Sequence, residues 1–507
     1  MTDNIPRWNF NRLFFVFALE FTVLCIVSVP SILSFDNWAF GDQGSELTIQ
    51  YLAREGYRPG VDFFYHYGLL PILAGNIWFG ALGITPLACF AAMFVCGLLM
   101  VRGLTRFAVA LELAPVGIAF LIASFPLAIL PAYPHLAHSI EALLFCNALA
   151  EQASGKHSRA LALVTAAVFA KPSLAYVFGL LLLLIIAWKS RQDKGSPFRQ
   201  FVLLILPAAS TASILTIALA IVYGPRALLR TVVPITGALL YRLLNYGPGS
   251  VARFLHPPGV GVNYYLGTIA GFWGLGTIWL VGCGVLSIPV LWNRSNSGGN
   301  VQAAKEMVVT CALLHLAFIF LAFGNPFSWA YYSYILVMGI AATSVWQYFP
   351  RYVVGAIAIL AVTCQKSRAI SAYKQWHETA PSHDTAGLWA SPNERAEWQG
   401  VMGAIAQHSN SRAGCEKAEM LSYEGGVELL VPSFAKPVTA FFLRGLPPDR
   451  GSEAKTGRLA NASLIVVPEV VQVPENPPID RTLLANLQQV FGGKLFSVYR
   501  KRGCDSN

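Results

Sequence analysis

The run FVLLILPAASTASILTIALAIVY, residues 201–223, decides the class of this chain. It carries no charged side chain, and its length matches the roughly 20 helical residues that cross a hydrocarbon core about 30 Å thick. In such a medium every backbone N–H and C=O must be paired inside the protein, so the run is predicted to be a helix. Tyr264–Trp292 is a second block of the same kind. A β-barrel would instead alternate apolar and polar residues with period two, and these blocks do not. The rest of the 507 residues agrees: 55% are hydrophobic, 12% are charged and the mean hydropathy is +0.53. Soluble domains carry about 25% charged residues. The fold class expected is a membrane all-α bundle.

The formal net charge of +10 resembles that of a nucleic-acid binder, but its placement argues otherwise. Lys and Arg gather in short loops between apolar blocks, at 102–106, 156–159, 189–199 and 294–305, where they set orientation. Putting these loops inside gives spans near 13–34, 84–104, 107–130, 139–153, two passes in 160–188, then 201–223, 264–291, 307–323, 330–348 and 351–364. The total is about 11 transmembrane helices, with the N-terminus inside. Leu13–Leu33 is too long for a cleavable signal and has no small-residue cleavage site, so it reads as a signal anchor. Tyr67–Gly83 is short and interrupted by Pro71 and glycines, and reads as interfacial or re-entrant. Lys171-Pro172 marks a bend in 160–188, since Pro172 lacks a backbone donor. A lysine at that depth is costly in lipid and is expected to face water or an aqueous cavity.

After residue 364 the texture becomes that of a soluble domain. The division expected is 1–364 transmembrane and 365–507 a small extracytoplasmic α/β domain, large enough for its own core. Glu394–His408 has helical periodicity, and Asp480–Phe491 reads as an amphipathic helix behind an Asp cap. Lys417–Ser422, Pro437–Leu443, Ala462–Val467 and Lys494–Tyr499 read as strands. Cys415 and Cys504 lie in this polar region; in an oxidising compartment they can pair, and two free thiols fit the sequence equally well. The other seven cysteines lie in or beside apolar blocks, as small hydrophobes do.

Chemistry concentrates in the first outer loop, Phe35–Gly68, which is rich in carboxylates in a chain that has few. Asp42 stands between Gly41 and Gly44 at the mouth of the first span. A carboxylate beside a low-dielectric region has its pKa raised towards that of a general base. The plainer reading is that Asp42 caps a helix through Ser45–Arg54, with Glu46 in its first turn. On Asp42 alone, the capping reading is the stronger.

The order of the whole loop adds to this. An Asp after the first span, an amphipathic helix, then Gly56, Pro59, Asp62, Phe63, Tyr67 and Gly68 resembles the GT-C glycosyltransferases. These include relatives of protein O-mannosyltransferases and of the aminoarabinose transferase that acts on lipid A. Lys171-Pro172 resembles that family's Lys-Pro after a short apolar helix. Where the family carries a Pro after Gly68, this chain has Leu69. In the family the acidic residue of the first outer loop is the catalytic base or orients a metal, and the matching position is Asp42. The resemblance implies a GT-C-like bundle and a lipid-linked sugar donor, and leaves a divalent metal open as cofactor. Glu46, Asp62 and Tyr67 become candidates for substrate contact.

In the second outer loop, where some members carry another acid, this chain has His135, His138 and Glu141. These are candidates for phosphate or substrate contact, although two histidines and one glutamate are too loosely spaced to define a metal site. Lys171 is a candidate for the donor phosphate. In the third outer loop, 224–263, Arg226, Arg230, Arg242, Arg253 and His256 occur with no acid. A guanidinium matches a phosphate bidentately, so Arg242, Arg253 and His256 are carrier-phosphate candidates; for any single arginine, snorkelling to the headgroups is the simpler account. The aromatic stretch Asn325–Tyr334 reads as an interfacial belt.

The function expected is transfer of a hexosyl or pentosyl group from a polyprenyl-phosphate donor to a cell-envelope glycan, lipid or protein acceptor. The place expected is the periplasmic face of a bacterial inner membrane, with membrane lipids as surroundings and no nucleic-acid partner. Two rivals stand beside it. A lipid-linked-sugar transporter or flippase is disfavoured because no internal repeat is visible. An O-antigen polymerase or ligase would use the arginines of 224–263 but needs no Asp42–Gly68 pattern.

Overall fold

The computed structural model describes residues 8–129, 136–192, 196–233, 271–292, 299–321, 332–346, 349–409, 418–421, 426–439, 450–468, 484 and 487–501. The chain forms two compact units, each assembled from separated stretches. One takes Met1–Ile26, Met93–Val222 and Pro248–Ile370; the other takes Val27–Ala92, Tyr223–Gly247 and Ser371–Asn507.

The first unit is helical. Among the described residues, six helices are long and apolar enough to cross a membrane: Phe10–Val27, Pro86–Ala110, Pro172–Arg191, Phe198–Tyr223, Gly299–Ile319 and Phe349–Glu378. Four shorter apolar helices accompany them, among them Pro115–Phe125, Phe272–Ile288 and Ser333–Thr343 here and Leu70–Leu82 in the second unit. The region 160–188 does break where Lys171-Pro172 demands. His157–Val168 ends before it, and Pro172 opens Pro172–Gln192. Proline suits that position, because the first helical N–H has no intrahelical partner to lose. His157–Val168 is about 18 Å long at 1.5 Å per residue, well short of a 30 Å core. Phe349–Glu378 runs on past residue 364, so the change of texture read there falls inside a continuous helix.

Lipid supplies no hydrophobic drive between helices, so they gain by close backbone approach. Gly103 lies so near the next helix that a Cβ would sit 2.9 Å from the carbonyl carbon of Cys146. Gly97 accommodates the Phe21 ring, which also stacks on Phe94 and meets Phe125 edge-on. Polar contacts gather where the basic loops begin. Arg106 pairs with Glu151 at 2.5 Å, and Lys189 reaches Glu306 at 2.9 Å and His157 at 2.6 Å. Gln152 donates to Thr310 at 2.9 Å. The basic ends read as sharing one side of the membrane are therefore tied together through side chains.

The second unit joins the first outer loop to the C-terminal region. β1 Ala380–Pro381 and β2 Trp389–Ala390 pair antiparallel, and a four-stranded sheet runs β3-β4-β6-β5, with β3 Glu419–Met420, β4 Leu464–Pro468, β5 Leu487–Gly492 and β6 Phe496–Lys501. β3 is parallel to β4, and the other pairs are antiparallel. β5 corrects the helix expected over Asp480–Phe491. Its residues 487–491 form one arm of a hairpin with β6, and ladder pairing outweighs a weak local helical pattern. The Glu397 carboxylate holds the turn by accepting from Lys494 N (3.1 Å) and Leu495 N (2.7 Å). Of the strand expected at Pro437–Leu443, residues 437–439 are not in a strand and the rest lies outside the described residues. Pro392–Ser409 is the helix the periodicity predicts. It is opened by a reciprocal capping box in which Ser391 N donates to Glu394 (2.6 Å) and Glu394 N to Ser391 Oγ (3.3 Å).

One aromatic core serves both parts of this unit. Trp398, fully buried, meets Phe35 at 5.1 Å, Phe40 at 6.0 Å, Phe496 at 5.5 Å and Phe434 at 6.0 Å between ring centres. Backbone bonds seal it: Trp389 N to Leu33 O (2.9 Å), Gly426 N to Ala39 O (3.1 Å) and Gly451 N to Asp62 O (2.9 Å). The loop that carries Asp42 has its hydrophobic side in the same core as the C-terminal sheet. Trp398→Ala is expected to destabilise this unit by about 3–5 kcal/mol, the range for emptying a buried Trp site. A thermal melt of the detergent-solubilised protein checks this; an unchanged midpoint would show that the aromatic core does not hold the loop.

Candidate functional site

The first cluster is the Asp42 turn. Gly41 is extended (φ −117°, ψ −172°) and is the N-cap of the Asp42–Arg54 helix. Its place is crowded: a Cβ there would sit 3.0 Å from Asn37 O. Gly44 N and Ser45 N both donate to Gly41 O, at 3.0 and 3.2 Å. The helix thus begins three residues earlier than the sequence suggests. Asp42 is its first residue rather than its cap, at the end where the helix dipole favours an anion. The Asp42 side chain lies outside the described residues. Glu46 stands more than a turn into the helix rather than in its first turn. It is buried and accepts from Gln50 Nε2 at 2.8 Å. Gln50 in turn fills the space beside Gly75, where a Cβ would collide with its amide.

Downstream, the Gly-Xaa-Xaa-Pro stretch is a locked turn. Gly56 (φ +88°) and Gly60 (φ +70°) take left-handed conformations that side chains disfavour. Asp62 closes the turn on its own loop, accepting from Arg58 Nε (2.9 Å), Nη2 (3.1 Å) and backbone N (2.8 Å). These hydrogen bonds from Arg58, foremost the guanidinium's, hold the Asp62 carboxyl below the usual carboxylate range. Arg450 stands 3.8 Å from the same carboxylate, and Arg230 donates to Gly60 O at 2.9 Å. Tyr67 is buried edge-on to Tyr65, whose hydroxyl donates to Gly68 O at 3.1 Å. In this structure Asp62 and Tyr67 shape the loop.

The second cluster lies in the helical unit. His138 and Glu141 are three residues apart at the start of Leu136–Ala153, on one face. Lys171 comes from the break before Pro172, and Tyr332 from the residue preceding Ser333–Thr343. The Lys171 ammonium lies 3.0 Å from His138 Nδ1, 3.9 Å from Glu141 Oε2 and 5.0 Å from the centre of the Tyr332 ring. The Tyr332 hydroxyl donates to Glu141 Oε2 at 2.7 Å, and its ring rests 4.2 Å from Phe318. Glu141 is 1% exposed. Its other oxygen, Oε1, accepts no hydrogen bond among the described residues.

Three candidates named from the sequence, His138, Glu141 and Lys171, therefore converge. Tyr332 was missed because its stretch read as an interfacial belt. Its nearest sequence signal was a tyrosine at a helix mouth, which says nothing about a partner 191 positions away. His135, Arg242, Arg253, His256, Cys415 and Cys504 lie outside the described residues. Among the described residues, no group of three or more His, Cys, Asp or Glu could hold a metal ion.

No family model and no curated protein sequence matches the chain. Among solved structures it is similar to the cryo-EM structure of the arabinofuranosyltransferase AftD from Mycobacteria. The TM-score is 0.48 at 15% identity, over 98% of this chain and 40% of that one. It is also similar to ArnT from Cupriavidus metallidurans. Bound to undecaprenyl phosphate, ArnT matches at TM-score 0.37 and 12% identity, over 96% of this chain and 99% of that one. In the apo state the values are 0.36 and 12%, over 96% and 98%. The chain spans about two fifths of the length of the AftD chain.

The Asp62 geometry has a pH consequence. The pKa is lower folded than unfolded, so the bond's stabilisation is complete above the unfolded value. It is lost as pH falls through the lower folded value. The difference in melting midpoint between wild type and Asp62→Asn should hold steady down to about pH 5 and shrink below about pH 4, the region of an unperturbed Asp. A difference that grows on acidification would contradict the assigned pairing.

Proposed function

We propose that this chain is a membrane glycosyltransferase moving a sugar from a polyprenyl-phosphate donor to a cell-envelope glycan, lipid or protein acceptor, at the periplasmic face of a bacterial inner membrane. The observation that carries the reading is the Glu141–Lys171–His138–Tyr332 cluster. A buried carboxylate beside a half-buried lysine in a unit of apolar helices is costly, and such residues mark ligand or ion sites. The groups suit the donor: an ammonium for a phosphate, and a carboxylate oxygen with no partner among the described residues for a sugar hydroxyl.

In the mechanism, Asp42 accepts the proton of an acceptor hydroxyl. The oxygen attacks the anomeric carbon, a C–O bond forms, and the bond from that carbon to the lipid phosphate breaks. The electron pair leaves with the phosphate, whose negative charge a cationic side chain has to meet. One displacement inverts the anomeric centre. In the helical unit Lys171, His138 and Glu141 are the donor contacts of this reading, and in the second unit Glu46 is a substrate contact on the Asp42–Arg54 helix. No step is routed through a metal.

The test is transfer from a labelled polyprenyl-phosphate sugar by protein in lipid nanodiscs. Asp42→Asn is expected to lower turnover by about 10²–10⁴-fold, the contribution of a positioned general base. Lys171→Met is expected to lower kcat and weaken donor binding together. Near-normal turnover in Asp42→Asn would remove Asp42 from the chemistry. Movement of labelled lipid across vesicles without sugar transfer would favour a transporter.

A further inference from the structure

We infer that the Gly426–Leu430 segment of the C-terminal domain sets the position of the Asp42 turn, with Gly426 as the positioning residue. The inference rests on the reading of Asp42 as catalytic base and gives the C-terminal region a role in that reaction.

Gly426 has an ordinary negative φ of −119°, so its backbone does not require glycine. Its surroundings do. A Cβ there would lie 2.8 Å from Trp38 O and 3.0 Å from both the Cα and the O of Gly44. All three are backbone atoms, so no side chain can swing away to make room. The Gly426 N–H also donates to Ala39 O at 3.1 Å. The C-terminal backbone therefore grips the chain on both sides of Asp42, three residues before it and two after. Two glycines meet face to face at the second point. Ordinary core packing fills space with side chains. Here the packing is bare backbone on bare backbone, which fixes the separation far more tightly.

The grip is anchored from behind. Leu429 N and Leu430 N donate to Gly426 O at 2.8 and 3.0 Å, closing the Val427–Leu430 turn on it. Glu428 of that turn is buried and pairs with the buried Lys455. Lys455 also reaches Glu419 of β3 at 3.1 Å, and Glu419 takes Arg458 Nε at 2.5 Å. A buried ion network of this sort contributes little net stability, because desolvation offsets the attraction, but it admits few geometries. It connects the sheet, the Arg450–Asn461 helix and the Val427–Leu430 turn to the glycine that touches Gly44.

Gly426→Ala in the full-length protein tests this, with kcat, KM for the lipid donor, the pH profile of kcat and the melting midpoint all measured. A methyl group must push the Asp42 turn away by several tenths of an ångström or more. Displacements near 1 Å in an active site cost about 10²-fold in rate, so kcat is expected to fall by about ten- to a hundredfold. The acidic limb of the kcat–pH profile, where a general base titrates, should shift while donor KM stays near wild type; the melting midpoint falls whichever role holds, because a tight backbone contact is overpacked. A purely structural role would lower the midpoint and the active fraction and leave the pH profile of the surviving enzyme unmoved. Wild-type kcat in Gly426→Ala, with Asp42→Asn inactive, overturns the positioning role and leaves the transferase reading in place. An active Asp42→Asn overturns the reading itself. Should Gly426→Ala fail to fold, Lys455→Arg decides. It keeps the charge while its planar fork must displace the Glu428 turn. The same kcat and pH shifts are expected, and a wild-type profile refutes the inference.

Discussion

A charge buried among apolar helices has to be matched where it stands, and the helical unit is organised around that requirement. Glu141 cannot be solvated where it lies, so Tyr332 donates to one of its oxygens and Lys171 stands near the same atom. Each partner comes from the residue just before a helix begins. Lys171 ends the break before Pro172, and Tyr332 immediately precedes Ser333–Thr343. Such helix ends already expose polar backbone, so placing charges there concentrates the cost of desolvation in one location. Ion pairs of this kind are poor sources of stability.

The second unit meets a different constraint with different means. Its problem is to give a long, glycine-rich loop one shape. The Arg58–Asp62 lock, the left-handed Gly56 and Gly60 and the buried Tyr65–Tyr67 pair solve it locally. Trp398 solves it at longer range by placing Phe35 and Phe40 in one core with Phe434 and Phe496. The C-terminal region thereby acts as the loop's scaffold. Trp398, Phe434 and the Gly426 backbone, all outside the strands of its small sheet, pack against the chain on either side of Asp42.

Much of the candidate site was legible because some residues are chemically out of place in their local texture. His138, Glu141 and Lys171 stand out against apolar neighbours, and all three meet in space. Asp62 stood out in the same way, yet its carboxylate is engaged by its own turn. Oddity of residue type shows that a group needs a partner, not which partner it finds. Tyr332 stood among other aromatics and gave no such sign. The helix expected over Asp480–Phe491 became β5 for a related reason: a short amphipathic pattern is compatible with either structure, and the partner strand β6 decided.

By itself the sequence determined the medium and the local backbone. Runs such as 201–223 admit only helices in hydrocarbon, Pro172 must begin a helix or break one, and Gly56 and Gly60 must turn. These are properties of a residue and its immediate neighbours, so a local pattern suffices to reveal them. Tertiary structure alone decided that Tyr332 belongs to Glu141, that the first outer loop shares its core with the C-terminal sheet, and that Gly426 rests on Gly44. Those pairings join residues between 191 and 456 positions apart. They follow from how whole elements pack, and no periodicity or spacing along the chain encodes which faces will meet.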